Sequence, residues 1–172
     1  MESSSKSVEI DETDLQILQH IEADEELNLA ALSEEIGLSK SAIHYRLNKL
    51  KDSGIVLGMP ARLDPLAFGL EMMMITEVNV THESGYAEDI GEQLSEIPGV
   101  YQVYYTMGDV DFMVISRTQT REQMNELITE MIDIDGVNET SSTFVMDEYK
   151  TDWRVVTNMS EKMRENVCKD TE

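Results

Sequence analysis

The sequence is poor in basic residues and nearly free of cysteine. Its 172 residues include 13 Lys and Arg against 35 Asp and Glu, a formal net charge of −22. Cys168 is the only cysteine, which excludes an intrachain disulfide framework and suits a reducing compartment. No apolar run approaches the ~20 residues of a membrane-spanning helix, and the N-terminus lacks the apolar core of a secretion signal. These absences predict a cytoplasmic protein without a membrane segment.

The acidic residues are spread along the whole chain rather than gathered in one tail. An apolar fraction of 41% indicates a folded protein despite the charge. Two explanations of the acidity remain: adaptation to a cytoplasm that contains molar salt, or an acidic surface that binds a partner. The even spread favours the first.

Residues 39–62 are the exception to this acidity. Five of the 13 basic residues lie there against a single acid, Asp52, so this segment carries +4 while the rest of the chain carries −26. A concentrated positive charge in an otherwise anionic chain predicts contact with a polyanion.

The N-terminal part of the chain contains three helical patterns. Asp11 is a candidate N-cap of the first, and Asn28 of the second, which is predicted over residues 29–36 and ends at a glycine. Ser39 is the candidate N-cap of the third, which runs to about Lys51. A helix, a glycine-containing turn and a second helix form the helix-turn-helix arrangement. The apolar residues 55–57 that follow predict the strand of a small wing.

The pattern changes after a proline-containing segment, residues 59–69, which predicts an extended linker. Alternating and helical stretches then predict, in order, strand 71–80, helix 86–97, strands 100–107 and 112–116, helix 121–132 and strand 142–149. The order β-α-β-β-α-β is that of a ferredoxin-like domain. The similarity of residues 94–100 to residues 131–137, each joining a helix to a strand through a glycine, supports it.

We therefore predict an α+β protein with two domains. The predicted segments are a disordered tail (1–9), a winged helix-turn-helix domain (10–58), a linker (59–69), a ferredoxin-like domain (70–156) and an acidic polar tail (157–172). The last segment is expected to be either a short helix or a frayed tail.

The third helix has an apolar side and a polar side. Ile43, Leu47 and Leu50 fall at i, i+4 and i+7 and form its inner stripe. The residues turned outward or flanking that face are Ser41, His44, Tyr45, Asn48 and Lys49. Asn can pair with adenine and Lys with guanine in the major groove of DNA. The outward side chains are therefore candidates for reading base edges.

Other basic residues are candidate phosphate contacts, which position a protein without specifying sequence. Lys40 lies at the positive N-terminus of the third helix, and Arg46, Lys51 and Arg62 complete the set. The alternative is a solvated helix face, with the Arg46 stem packed on the core.

Six segments occur in an order that resembles the Lrp/AsnC, or feast/famine, family of prokaryotic transcription regulators. The resemblance lies in residues 10–18 (IDETDLQIL), 38–47 (LSKSAIHYRL), 54–58 (GIVLG), 61–65 (ARLDP) with Gly69, 105–112 (YTMGDVDF) and 140–146 (TSSTFVM). It extends over about residues 8–156.

The resemblance implies a winged helix-turn-helix domain joined to a ferredoxin-like effector domain of the RAM/AsnC type, which dimerises and often forms octamers. It also implies transcriptional control by small molecules, commonly amino acids, bound between effector domains. The positions that match the family's effector-binding residues are Gly108, Asp109 and Asp111 in a turn, and Thr140 and Ser142 in the last strand. With the dispersed acidity, the resemblance favours a haloarchaeal origin.

We expect a sequence-specific regulator that binds double-stranded DNA and an amino-acid effector, forms homo-oligomers or hetero-oligomers with related regulators, and needs no cofactor or metal. One alternative is a regulator or hetero-oligomer partner that responds to no effector. A second is an enzyme similar to sirohaem decarboxylases, which share this architecture. Residues 70–149 contain only Arg117, Arg121 and His82 as basic groups for such a polycarboxylate substrate, which disfavours the enzyme.

Overall fold

The computed structural model describes residues 9–23, 28–58, 61–81 and 86–169. The chain forms two compact units: one contains Met1–Arg62 and Thr151–Glu172, and the other contains Leu63–Lys150. Apart from Glu9, the predicted disordered tail lies outside the described residues. Within the described ranges, no helix combines the length and apolarity needed to cross a membrane.

The first unit begins with three helices: α1 (Glu12–Ala23), α2 (Leu29–Ile36) and α3 (Lys40–Asp52). The predicted caps at Asn28 and Ser39 are confirmed, since each side-chain oxygen accepts a backbone N–H from the helix that follows. Gly37 ends α2 with a φ of 75°, a left-handed conformation that glycine adopts without steric cost.

Two acidic residues cap α1 reciprocally. The Asp14 backbone N–H donates to Asp11 Oδ1 at 2.8 Å, and the Asp11 N–H donates to Asp14 Oδ2 at 3.2 Å. This confirms Asp11 as the N-cap and satisfies two backbone donors at the start of the helix.

The apolar faces of the three helices form two adjoining clusters. Their buried members are Ile17, Leu32, Ile43 and Leu47 in one cluster, and Leu15, Leu18, Leu50 and Val156 in the other. The inner stripe predicted for α3 is therefore confirmed, and one core residue, Val156, comes from the far end of the sequence.

The strand predicted for the wing is absent from residues 55–57, all of which are described. The backbone N–H groups of Ile55 and Val56 both donate to the Leu50 carbonyl, at 3.0 and 3.2 Å. These bonds extend the C-terminal turn of α3, so the two donors are not available for a strand ladder. The apolar pattern instead reflects packing against the cluster around Leu50.

Residues 151–169 belong with the first unit, although residues 151–156 were predicted in the ferredoxin-like domain. The alternative of a short helix within the polar tail predicted from residue 157 onward is confirmed. Residues 161–169 form a helix, α6 (Glu161–Lys169). Ahead of it, the Glu22 carboxylate of α1 accepts the backbone N–H groups of Val155, Val156 and Thr157 at 2.6–3.1 Å. We call residues 151–169 the C-terminal strap.

The second unit is a four-stranded antiparallel sheet with two helices. In chain order its elements are β1 (Met72–Val80), α4 (Tyr86–Glu96), β2 (Val100–Tyr105), β3 (Phe112–Thr118), α5 (Arg121–Ile132) and β4 (Val137–Phe144). The strands lie in the order β2-β3-β1-β4. This confirms the predicted ferredoxin-like βαββαβ arrangement.

Two details of the second unit differ from the prediction. The last strand is Val137–Phe144 rather than 142–149, because its register pairs Val137 with Val80 at the end of β1. The predicted extended linker contains a 3₁₀ helix, Pro65–Phe68, which is capped by Asp64 because its Oδ1 accepts the Leu66 N–H. Residues 59 and 60 of that linker lie outside the described residues.

One face of the sheet packs against α4 and α5. Alternate strand residues turn to that face and are buried, as the period of two requires. The buried residues are Met74, Val78 and Val80 of β1, Phe112 and Val114 of β3, Ile90 and Leu94 of α4, and Met124, Leu127 and Met131 of α5, with Ile97 between α4 and β2.

Candidate functional site

The outward face of α3 is open to solvent. Tyr45 is 72% exposed, and Ser41, His44, Asn48 and Lys49 are exposed as well. The structure therefore brings together, on one helix face, the side chains that the sequence predicted there. They offer hydroxyl, amide, imidazole and ammonium groups at helical spacing.

Two of these side chains orient each other. The Asn48 Nδ2 amide lies 3.1 Å from His44 Nδ1, one helical turn earlier. If Asn48 donates in this contact, its second N–H and its Oδ1 stay available, the pair of groups that adenine recognition needs. His44 then presents its Nε2–H to the outside.

Arg46 lies on another side of α3 and is engaged within the protein. Its Nη1 donates to Asp11 Oδ2 at 2.7 Å and to Asp14 Oδ1 at 2.8 Å. Asp14 is only 5% exposed, so the ion pair is partly buried. The guanidinium of Arg46, predicted as a phosphate contact, ties the start of α1 to α3 through this nitrogen.

The charges in this cluster stabilise one another. Burial raises the pKa of Asp11, but hydrogen bonds from the Asp14 backbone and from Arg46 outweigh it and hold that pKa below its ordinary value of 3.8. Hydrogen bonds to Asp14 and Asp11 raise the pKa of Arg46. The cluster thus favours a charged carboxylate at Asp11.

The remaining basic candidates differ in their surroundings. Lys40, Lys49 and Lys51 are exposed, and none forms an ion pair with the described part of the chain. Arg62 is exposed but donates to the Thr151 carbonyl at 3.3 Å, which links it to the C-terminal strap. The three lysines are therefore the freest cations of the set.

The candidate effector turn connects β2 to β3 at residues 106–111. Gly108 and Asp109 are exposed at its tip. Thr106 closes the turn: its N–H donates to the Asp111 carbonyl at 2.8 Å and its hydroxyl donates to the Val110 carbonyl. Gly108 has no positive φ, and a Cβ placed on it would meet no atom within 4 Å. Nothing in the described fold therefore requires glycine at this position.

Asp111 has a different environment from Asp109. It is 9% exposed, and its Oδ2 accepts the backbone N–H of Val80 at 2.9 Å. The carboxylate thus supports the end of β1, where the ladder to β4 shifts register between Asn79 and Val80. This contact gives Asp111 a structural role that the sequence pattern did not indicate.

The two hydroxyl candidates, Thr140 and Ser142, lie on the edge strand β4. The Ser142 hydroxyl is 2.9 Å from that of Thr76, which is fully buried. Strand β1 separates β4 from β3, and two strand spacings amount to about 10 Å. Within one subunit, the exposed turn and these hydroxyls therefore do not form a single small pocket.

Sequence reasoning missed the partners of Arg46 and the role of Glu22. The contacts of Arg46 bridge 32 and 35 positions, and those of Glu22 bridge 133 to 135. The acidic cap at residues 11–14 was one available signal, because two carboxylates at a helix start favour a nearby cation.

Among the described residues, no group of His, Cys, Asp and Glu is arranged to hold a metal ion.

Comparison with known proteins assigns the same two parts. A family model described as "Winged helix-turn-helix DNA-binding" matches residues 10–56, and one described as "Lrp/AsnC ligand binding domain" matches residues 74–155. HTH-type transcriptional regulator FL11 of Pyrococcus horikoshii is 32% identical over 143 residues, which are 83% of this chain and 93% of that protein.

Solved structures agree in fold. A transcriptional regulator from Neisseria meningitidis in complex with L-Met is 26% identical, with a TM-score of 0.80 over 87% of this chain and 97% of that one. An AsnC family regulator from Agrobacterium tumefaciens superposes with a TM-score of 0.79 at 24% identity, covering 85% of this chain and 96% of the other.

Proposed function

The chain belongs to the Lrp/AsnC family of DNA-binding transcription regulators, and we propose that α3 is the element through which it reads DNA sequence. Ser41, His44, Tyr45 and Asn48 form the base-reading set in this proposal. The observation that supports it most is the exposed, mutually oriented His44–Asn48 pair on the outer face of α3. Since the relatives are transcriptional regulators, the enzymatic alternative is set aside.

Phosphate contacts are assigned to the exposed cations around that face, and Lys49, which flanks the face and was first a candidate for base edges, is moved to this set. Lys40, Lys49 and Lys51 have no competing carboxylate among the described residues, so each is available to a phosphate. Arg62 keeps N–H groups beyond the one that Thr151 accepts. Arg46 is left out of this set, because two aspartates already bind its guanidinium.

The effector proposal concerns the turn at Gly108 and Asp109. A glycine that the fold does not require suits close approach of another molecule to the backbone. The exposed Asp109 carboxylate can accept an ammonium group, and the hydroxyls of Thr140 and Ser142 can donate to a carboxylate. An amino acid carries both groups, and the Neisseria relative was crystallised with one.

Assembly follows from the same geometry. Because β3 and β4 of one subunit stand two strands apart, a ligand that touches both the turn and the hydroxyls needs a second subunit. Within the described second unit, no helix covers the sheet face that carries Ile75, Met113 and Ile115. A homodimer, and octamers built from it, would bury that face; related regulators with similar sheets could form hetero-oligomers.

We separately propose that the protein works in a cytoplasm that contains molar salt. It is supported by the dispersed acidity of a chain with a net charge of −22. The Pyrococcus relatives do not support a haloarchaeal origin, since they come from archaea that are not halophilic. Circular dichroism in rising KCl tests it: folding that needs molar KCl agrees, and complete folding in dilute buffer contradicts it.

The DNA proposal is tested by the salt dependence of binding to promoter fragments from the genome that encodes the chain. Each phosphate contact contributes about 0.9 to the slope of log K against log salt. Lys49→Met should lower affinity and reduce this slope by about 0.9. Lys162→Met, which removes an exposed lysine from α6 in the same unit, is the matched control and should leave the slope unchanged. Equal effects of the two variants would refute the assignment.

A further inference from the structure

A groove runs along the second unit between α4 and the edge strand β2. This open groove has a volume of about 890 Å³, which is within the range of about 300–1,000 Å³ typical of small-molecule sites. Its floor is formed by Gly91 of α4, Val103 and Tyr105 of β2, and Phe112 of β3. None of the lining residues belongs to the effector turn or to the β4 hydroxyls.

The floor of the groove presents an unusually open aromatic surface. Tyr105 is 64% exposed, whereas Phe112, with its ring centroid 5.1 Å away, is 2% exposed. A Cβ at Gly91 would lie 3.2 Å from Phe112 Cε1, so glycine lets the helix approach the ring without filling the groove. An apolar body can therefore lie on the floor and cover the exposed tyrosine.

Three carboxylates line the helical side of the groove, and we call them its rim. Glu88, Glu92 and Glu96 are spaced four residues apart, which places them along one side of α4. Helix α4 contains no basic residue, and none of the three has a counter-ion among the described residues. Like charges at this spacing destabilise a helix. The helix itself therefore gains nothing from the stripe.

Acidic spacing alone does not distinguish this site. Helix α5 carries Glu122, Glu126 and Glu130 at the same spacing, but the surface beside them comes from α5 alone, with Asn125 and Thr129 and no aromatic residue. The distinguishing feature of the α4 groove is the pairing of a carboxylate rim with an aromatic floor.

We propose that the α4–β2 groove binds a small organic cation, an ammonium or guanidinium group carried on an apolar or aromatic body. The cation lies between the glutamate rim and the Tyr105 ring, where carboxylates and the ring face both attract it. The apolar body rests on Val103 and Ala87, two partly exposed residues that also line the groove. This goes beyond the proposed effector site, which uses other residues.

Charge complementarity favours such a cation over a second copy of this chain. The second unit contains three Lys and Arg residues, Arg117, Arg121 and Lys150, and Arg117 already pairs with Glu148 at 2.6 Å. The basic face of α3 is assigned to DNA. A second acidic unit would add like charge to the rim.

The test uses the full-length protein and two probes of similar shape, 2-phenylethylammonium and neutral 2-phenylethanol. Titrations are followed by amide ¹H–¹⁵N shifts of Gly91 and Val103, in KCl at which circular dichroism shows full folding. We expect saturable binding of the ammonium probe at these amides and much weaker binding of the alcohol. Glu88→Gln/Glu92→Gln/Glu96→Gln should weaken ammonium binding about twentyfold, since three exposed ion pairs at a mean of about 0.6 kcal/mol each amount to about 1.8 kcal/mol.

Two matched variants separate the contributions of rim and floor. Glu122→Gln/Glu126→Gln/Glu130→Gln removes the same charge from α5 and should leave binding unchanged. Tyr105→Ala should weaken binding, while Tyr105→Phe should retain it, because the ring face is kept.

Three results would overturn the proposal. Equal binding of the ammonium and the alcohol would show that charge is not recognised. Equal losses in the α4 and α5 triple variants would indicate a general effect of protein charge. A change of mass by light scattering in the α4 triple variant, with no loss of ammonium binding, would show that another copy covers the groove.

Discussion

Arg46 Nη1 lies 2.8 Å from Oδ1 of Asp14, a carboxylate that is almost completely buried. The contact joins α3, the helix assigned to DNA, to the first turn of α1. A buried carboxylate without its partner is costly, whereas the same arginine on a free surface would contribute little. Arg46 therefore holds α3 against the start of α1.

Arg46→Met keeps the apolar stem but removes the guanidinium. We expect a loss of about 1–3 kcal/mol in the free energy of unfolding, because Asp14 is left buried with an unmet charge. Lys49→Met is the control, since it removes the same charge from an exposed, unpaired site and should change stability by less than about 0.5 kcal/mol. Urea unfolding measures both. Equal stabilities of the two variants would refute the structural role of Arg46.

Acid should lower the free energy of unfolding of the first unit, because Asp11 becomes protonated. Its folded pKa lies below the ordinary 3.8, so the unfolded chain takes up a proton first as the pH falls. The contribution of Asp11 is complete above about pH 5 and is lost progressively below 3.8. Urea unfolding at several pH values should show this decline, with a smaller slope in Arg46→Met. An identical slope in that variant would contradict the coupling.

Glu22 holds the C-terminal strap by accepting three consecutive backbone N–H groups. Glu22→Gln replaces one of the two acceptor oxygens by a donor and removes the charge, and should cost the first unit about 1–3 kcal/mol. Trp153, the only tryptophan, lies two residues before these N–H groups and reports the change by fluorescence. Glu34→Gln, at an exposed site on α2, should have no effect. A strap that stays ordered in Glu22→Gln would contradict this role.

Substituting Asp109 should affect ligand binding, whereas substituting Asp111 should affect stability. Asp111→Asn weakens the acceptor of the Val80 N–H and should lower the melting temperature. Asp109→Asn leaves the exposed turn folded and should instead weaken amino-acid binding, measured by calorimetry across a panel of amino acids. If Asp109→Asn binds the panel as the parent does, the turn is not the effector site.

The sequence predicted most of the fold because local signals agreed with tertiary packing. The caps at Asn28 and Ser39 and the apolar stripe of α3 are local features, and each was confirmed. The last strand was placed too late because β4 is an edge strand rich in polar residues, which hides its alternation. Its register depends on pairing with β1, which the sequence of β4 alone does not contain.

The sequence predicted the candidate site residues correctly only where their position follows from helical period and solvent exposure. The outward face of α3 follows from helical period, so Tyr45 and Asn48 were placed correctly. Arg46, Asp111 and Glu22 depend on partners 31 to 135 positions away, so their roles needed the fold. A charge count treats Arg46 and Lys49 alike, although Arg46 is held by two carboxylates and Lys49 pairs with none of the described residues.

The central claim is that the outer face of α3 specifies DNA sequence. Selection of duplexes from a random pool by the full-length protein tests it most directly, comparing the parent with Tyr45→Ala/Asn48→Ala. Each good base contact contributes about 1–3 kcal/mol of discrimination. The parent should therefore enrich a defined motif, while the double variant should keep salt-dependent binding but lose preference at the positions those side chains read. Enrichment of the same motif with the same strength by both proteins would contradict the claim.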